Sequence, residues 1–408
     1  MQDGAGDVPK NPPKATIWRK GEHSMPQHKL LMCPGPTIVP DRVLQAGAEP
    51  MVYHRSEEFS QVLKEVLDHL RVLFGTHDVL VMASSGRGAV EAALANSLTP
   101  GGRVLVVVNG FFGEMMAGIA RDLGFDVVRT QEDWTRPADP QAVADVLAGD
   151  PSIEAVGMVH SETSTSVLND LASMGQAVRG QGRLLVVDAV SSLGGAPIDM
   201  DRNLVDVVGS ASQKGLFSPP GIGVVGVGAK GWERINLSTN RRHYFDLRKM
   251  KEAADRPTPQ TPSTTPVSLV KSLHAALQMI NEETVAGAYR RHERMAQATR
   301  LGVKALGLSL YPAGDFRRSP TVTTVALPEG RDPSHMLKWV EKNYGIVLGN
   351  GLGKIGKTTF RVGHMGVVQP ENVVQALGAL GDYMVQNGWT TAPADAGAKV
   401  AQEYFDRP

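Results

Sequence analysis

A single cysteine, Cys33, stands in 408 residues. A lone thiol excludes an internal disulfide, a cysteine-based zinc site and an iron–sulfur cluster. It fits a reducing compartment, so the cytoplasm is the expected location. Net charge is missing as well: 42 Lys and Arg balance 42 Asp and Glu, which removes the electrostatic case for nucleic acid or an anionic membrane as a partner. No apolar run approaches the roughly 18 residues of a membrane span. The best candidates, around Leu184–Val187 and Ile222–Val227, have the length of strands. Hydrophobic residues still make up 42% of the chain, enough for a large buried core and a compact globular protein. The first 28 residues carry no apolar core ahead of a cleavage site, so a flexible arm over 1–28 is expected in place of a secretory signal.

Beyond the arm, short β-branched runs recur at Asp78–Ala83, Arg103–Asn109, Ile153–His160, Arg183–Asp188 and Val205–Ser210. Each is near-continuously apolar, as expected of strands covered on both faces. Helix-length segments lie between them, including Arg87–Asn96 and GEMMAGIARDLG, which Gly124 would end. The alternation predicts an α/β fold with a mostly parallel sheet. From Pro266 to Ala298 the pattern turns helical, and a boundary near residue 285 divides a large domain, 29–285, from a smaller C-terminal α+β domain, 286–408. In the latter, strands at TVTTVALP and TTFRVGH alternate with helices at PSHMLKWVEKNYG and PENVVQALGALGDYMVQNG. The Pro-rich stretch Pro257–Pro266 is expected to be an exposed connector, and the alanine-rich tail after Thr390 to fray.

Four features carry chemical interest. Gly351–Thr358, GLGKIGKT, satisfies the P-loop pattern. A P-loop requires a helix after it, whereas TTFRV alternates like a strand, so a Gly-rich connecting loop is the expectation and a nucleotide-binding protein the alternative from another class. Ser84-Ser85-Gly86-Arg87-Gly88 lies between a predicted strand and a predicted helix, where free N–H groups and the helix dipole favour a phosphate; an ordinary Ser85 N-cap is the plain reading. Asp188 ends an apolar strand at the edge where open α/β sheets hold ligands, or simply anchors a loop. Lys214 lies between a strand and a Pro-Gly turn and is either a solvated charge or, if desolvated, a nucleophile.

The combination narrows these readings. A phosphate cup, a buried carboxylate and a lysine on one α/β domain are the three fixtures that pyridoxal 5′-phosphate requires. The cup takes the phosphate, Asp188 keeps the pyridine nitrogen protonated and Lys214 forms the Schiff base. Phe112, in NGFFGEM, offers a flat apolar face to the ring.

The same segments resemble the class V, fold-type I aminotransferases, particularly the alanine–glyoxylate and serine–glyoxylate group. The resemblance is carried by PGP at Pro34–Pro36, YHRSEEF, SSGRGAVEAAL, HSETSTS, DAVSSLGG, SQKGLFSPPG and FRVGHMG, and it covers about four-fifths of the chain. It implies that Ser85, Gly86 and Arg87 surround the phosphate, Gln213 adds a hydrogen bond, Phe112 stacks and Thr163 approaches the phenolic oxygen. It also implies that Thr261 and Thr264 reach the phosphate of a neighbouring subunit, hence a homodimer with shared sites. Arg361 would clamp the substrate carboxylate. The implied reaction is transfer of an amino group from alanine or serine to a small 2-oxo acid, glyoxylate above all, in a ping-pong cycle through pyridoxamine phosphate, with Lys214 moving the α-proton.

Two departures stand out: Arg87 replaces the histidine or threonine common in that group, as in ureidoglycine–glyoxylate aminotransferases, and Ser166 replaces the glycine of the usual ETSTG. Ureidoglycine–glyoxylate and 2-aminoethylphosphonate–pyruvate transamination are therefore the alternatives within the family. A cysteine desulfurase would need a nucleophilic thiol late in the chain, whereas Cys33 lies near its start. His160, His364 and the His54–Ser56 segment are expected to shape the pocket, not to catalyse.

Overall fold

The computed structural model describes residues 29–130 and 133–407; the arm expected over 1–28 lies outside them. In chain order the strands are β1 (Leu30–Met32), β2 (Asp78–Ala83), β3 (Arg103–Val107), β4 (Asp126–Thr130), β5 (Ile153–Val159), the hairpin β6 (Ser161–Glu162) and β7 (Val167–Leu168), β8 (Leu184–Asp188), β9 (Val207–Ala211) and β10 (Ile222–Val227), then β11 (Ser309–Leu310), β12 (Val322–Ala326), β13 (Ile346–Asn350) and β14 (Thr359–Gly363).

A seven-stranded sheet runs in the order β2-β10-β9-β8-β5-β3-β4. β9, β8, β5, β3 and β4 are mutually parallel, while β10 runs antiparallel to both of its neighbours. The Val-rich runs need cover on both faces, and they have it. One core packs under the helices Glu57–Phe74 and Val267–Glu283, the other under Gly86–Ser97 and Phe111–Asp122. β10 is buried along its whole length, and each fully buried valine of this kind contributes about 1.5–3 kcal/mol.

The second sheet has the order β1-β13-β14-β12-β11. β1 pairs in parallel with β13, so the described chain starts in this sheet before it enters the large one. The helical stretch after Pro266 is two helices, Val267–Glu283 and Val285–Ala305, broken at Thr284, whose φ is 69°. We propose that break as the domain boundary.

Two expectations need correction. The tail does not fray: Ala396–Phe405 is a helix packed on Val285–Ala305, with Ala401 and Phe405 buried. Glycines make the approach possible, since a Cβ on Gly302 would lie 2.8 Å from the Gly397 carbonyl oxygen. The Arg294 guanidinium lies 5.6 Å from the centre of the Phe405 ring. Alanine-rich composition hid a docking face made of small residues. The Pro-rich connector is only partly exposed: Thr261 and Thr265 are buried, Ser60 Oγ donates to Pro259 O at 2.8 Å and Arg55 Nη1 donates to Thr261 O at 2.7 Å.

Because Phe405 anchors the final helix, Phe405→Ala should lower unfolding free energy by about 3 kcal/mol, the low end for a buried aromatic, read as a lower urea midpoint. An unchanged midpoint would contradict the docked tail.

Candidate active site

Parallel strands deliver their carboxyl ends to one edge of the sheet, where loops and helix N-termini leave a cavity of about 320 Å³. Ser85, Gly86, Arg87, Phe112, Thr163, Asp188, Gln213 and Lys214 line it together. Eight residues singled out in the sequence thus converge from five separate segments.

The strand-to-helix turn after β2 forms one wall. Ser85 is the N-cap of the Gly86–Ser97 helix, its Oγ accepting from Gly88 N at 3.3 Å. A Cβ on Gly86 would lie 2.7 Å from Val190 Cγ2, so glycine lets this helix N-terminus approach the sheet edge. Its outward N–H groups and dipole favour an anion. Arg87 lies beside them, its Nε donating to Met115 Sδ at 3.2 Å. Gln213 Oε1 is buried with no hydrogen-bond partner, and such an atom at a cavity wall invites a donor from a ligand.

Asp188 is buried, and Lys214 is partly buried at the cavity wall. Asp188 Oδ1 accepts from Val190 N at 2.8 Å. Burial, reinforced by the nearby Glu162 charge, pushes its carboxyl up to about 7, against the pull of that hydrogen bond and of Lys214. Lys214 is moved the other way, down to about 8, by burial and then by the charge of Arg361. Its Nζ donates to the Pro34 carbonyl. The Pro34–Pro36 segment closes over this side chain: Gly35 has φ 105°, and a Cβ there would lie 2.5 Å from Lys214 Nζ. Thr37 fastens the segment, N–H to Gln213 O and Oγ1 to Lys214 O, each at 3.2 Å.

Arg361, on β14, is buried at the junction of the two sheets. Its Nε donates to Asn350 O at 2.7 Å and Nη1 to Thr163 O at 3.4 Å. Burial lowers its pKa to about 10, which leaves the guanidinium charged at neutral pH. Thr163 itself faces the cavity and donates from Oγ1 to Ser191 Oγ at 2.5 Å.

Thr261 and Thr264 do not line this chain's cavity. Thr261 Oγ1 donates to Ser263 O at 2.7 Å, and Thr264 Oγ1 lies 3.4 Å from His54 Nε2. His160 is buried and held neutral, its pKa pushed down to about 3 by burial. His364 is likewise neutral, its Nε2 2.9 Å from Thr323 Oγ1 and its Nδ1 3.0 Å from Pro320 O. The P-loop reading fails on topology, because GLGKIGKT is a short 3-10 turn, Gly353–Ile355, leading into β14 and not into a helix.

One residue escaped the sequence analysis. Glu162 is fully buried and accepts from Gly113 N at 3.1 Å, Phe112 N at 3.4 Å and Ser164 Oγ at 2.6 Å, so it fixes the helix N-terminus that carries Phe112. Its only signal was a carboxylate in the hydroxyl-rich run HSETSTS.

The family model for aminotransferase class-V matches residues 30–362. The chain belongs to that family. This class V aminotransferase is 39% identical over 380 residues to the soluble hydrogenase 42 kDa subunit of Anabaena cylindrica, spanning 92% of this chain and 98% of the relative. It is 33% identical over 391 residues to serine–glyoxylate aminotransferase of Methylorubrum extorquens, spanning 93% and 96%. Among solved structures, ureidoglycine–glyoxylate aminotransferase of Bacillus subtilis superposes with a TM-score of 0.88 at 26% identity, covering 95% of this chain and 100% of that one. Class V aminotransferases have the fold-type I architecture and generally use pyridoxal 5′-phosphate. Among the described residues no helix is long and apolar enough to cross a membrane.

The raised pKa of Asp188 sets a pH signature. In the folded cofactor-free protein Asp188 keeps a proton that it has lost in the unfolded chain between the ordinary value of 3.8 and about 7. Stability from this group is therefore present at low pH and lost as pH rises through 7. Between pH 4.5 and 7.5 the urea midpoint of cofactor-free Asp188→Asn should rise relative to that of the parent protein; parallel curves would contradict the shift.

Proposed function

We propose that this enzyme transfers an amino group from a small amino acid, alanine or serine, to glyoxylate, using pyridoxal 5′-phosphate. The observation that carries the reading is a partly buried lysine and a buried carboxylate on one cavity, with the Arg361 guanidinium bonded to the cavity-lining residue Thr163. Serine–glyoxylate and ureidoglycine–glyoxylate relatives support glyoxylate as the acceptor.

The donor set fits the cofactor. Ser85, Gly86 and Arg87, with the Gln213 side chain donating from its amide N–H, would hold its phosphate; Asp188 would pair with the pyridine nitrogen; Phe112 would stack on the ring; Thr163 would meet the phenolic oxygen; and Lys214 would hold the group covalently. When bound, the cofactor supplies an electron sink for the substrate α-carbon. Lys214 Nζ, displaced by substrate, is the base that takes the α-proton and returns it. A pKa near 8 keeps a useful neutral fraction at neutral pH. Arg361 orients the substrate by its carboxylate through two parallel N–H bonds, a geometry lysine cannot reproduce. The enzyme works as a cytoplasmic homodimer in this reading: Thr261 and Thr264 lie away from their own cavity and would complete that of a second copy.

Arg87 favours a second reading, in which the donor carries a further polar or anionic group. Ureidoglycine with glyoxylate, and 2-aminoethylphosphonate with pyruvate, are the specific cases.

A donor and acceptor screen by steady-state kinetics separates them. Alanine or serine with glyoxylate should give the highest kcat/KM, and Lys214→Ala should lose more than about 10³-fold in kcat, the scale on which removing a positioned base acts. Activity retained in Lys214→Ala would overturn the proposal, and preference for ureidoglycine or 2-aminoethylphosphonate would install the second reading.

A further inference from the structure

The hairpin between β6 and β7 turns through Glu162–Ser166, and its last residue, Ser166, has φ 62°. A non-glycine residue in this region is uncommon, and such backbone persists where the surroundings over-determine it. The surroundings of Ser166 are explicit. Its N–H donates to Glu162 O at 2.8 Å, and its carbonyl accepts from Ser319 N at 2.8 Å. The side chain is buried and makes two bonds to one residue of the other sheet. Ser166 Oγ donates to Thr324 Oγ1 at 2.7 Å and accepts from Thr324 N at 2.5 Å. Thr324 Oγ1 in turn donates to Ser164 O at 3.2 Å.

Thr324 is not an arbitrary anchor. On β12 it is the register partner of Arg361 on β14, and directly opposed residues of an antiparallel pair project from the same face. Arg361 then returns to the hairpin through its bond to Thr163 O. The path is closed: Ser166 to Thr324, across the strand pair to Arg361, and back to Thr163, three residues before Ser166. The hairpin belongs to the cavity wall, since Thr163 lines it. Both ends of the closed path are therefore fixed relative to the cavity.

We propose that Ser166 is a positioning residue for the substrate carboxylate: through Thr324 it sets where the Arg361 guanidinium sits relative to the cavity. The inference rests on the reading of Arg361 given above. Ser166 does not itself line the cavity. Its hydroxyl joins the strand beneath Arg361 to the hairpin that bears Thr163, and the left-handed backbone is what aims that hydroxyl at Thr324. Charge attraction alone would leave the guanidinium free to swing; a fixed fork is what discriminates a carboxylate geometry.

The geometry separates positioning from simple structural support, because glycine is the residue best suited to φ 62°. In Ser166→Gly the relief of left-handed backbone offsets the Thr324 N–H left unpaired, so the melting temperature should stay within a few degrees of the parent while KM for the amino donor rises about 5- to 20-fold, with kcat changed less than threefold. Ser166→Ala should raise KM similarly. Thr324→Val, which keeps shape but removes the hydroxyl, should raise KM, and Thr324→Ser should restore it to within about twofold of the parent. The visible absorbance of bound pyridoxal 5′-phosphate should be unchanged in all four.

Arg361→Ala, assayed beside them, distinguishes the two ways the idea can fail. If Arg361→Ala raises donor KM but Ser166→Gly, Ser166→Ala and Thr324→Val stay within twofold of the parent, the role of Ser166 is refuted and the reading of Arg361 stands. If Arg361→Ala leaves donor KM unchanged, the reading of Arg361 is wrong and the proposal falls with it. Loss of stability together with equal losses in kcat and kcat/KM for the Ser166 variants would mark a merely structural residue and also overturn the proposal.

Discussion

The site depends on holding two ionisable groups, Asp188 and Lys214, out of water at the carboxyl edge of one parallel sheet. Burial, helped by the charges of Glu162 and Arg361, moves the acid up and the base down, until the two values, about 7 and about 8, nearly meet. Such burial is costly unless each group finds a hydrogen-bond partner: Asp188 accepts from Val190 N and Lys214 donates to the Pro34 carbonyl, and packing around the large sheet holds both partners in place. Val-rich strands are covered on both faces, the Gly86 helix comes close enough to touch Val190, and Gly35 lets the Pro34–Pro36 segment close against the lysine stem.

A second layer of constraint links the two sheets. The hairpin between β6 and β7 projects from the edge of the large sheet and meets β12 and β14 of the small one. Glu162 at its base fixes the helix carrying Phe112, while Thr163 and Ser166 near its tip reach Arg361 and Thr324. One short turn thus ties an aromatic wall, a hydroxyl and a guanidinium to the same frame. The arrangement explains why carboxylate and hydroxyl side chains are buried there in such density: each partners a backbone or side-chain group that would otherwise be unpaired.

Much of this was legible in the sequence because the strongest signals are local. Continuous β-branched runs located β2, β3, β5, β8 and β9 to within two residues at either end. The strand-to-helix turn at Ser85, the strand-terminal Asp188 and the lysine before a Pro-Gly turn were visible for the same reason. What escaped depended on tertiary contact. The last helix was hidden because alanine and glycine give little periodic signal, yet they suit close helix packing. β1 and β13 pair across more than 300 residues and carry no pattern that announces it. Glu162 drew no reading of its own, and only the fold reveals the amides that it accepts from. The P-loop pattern is the opposite case: its residues are present, but β14 follows where a P-loop needs a helix, as the strand-like TTFRV run indicated.

The central claim is that Lys214 bears the cofactor. The most direct measurement is borohydride reduction of the purified protein with pyridoxal 5′-phosphate, followed by peptide mass mapping. The account predicts a single phosphopyridoxyl group on the peptide containing Lys214. A group on a different lysine, or none on any, would contradict it.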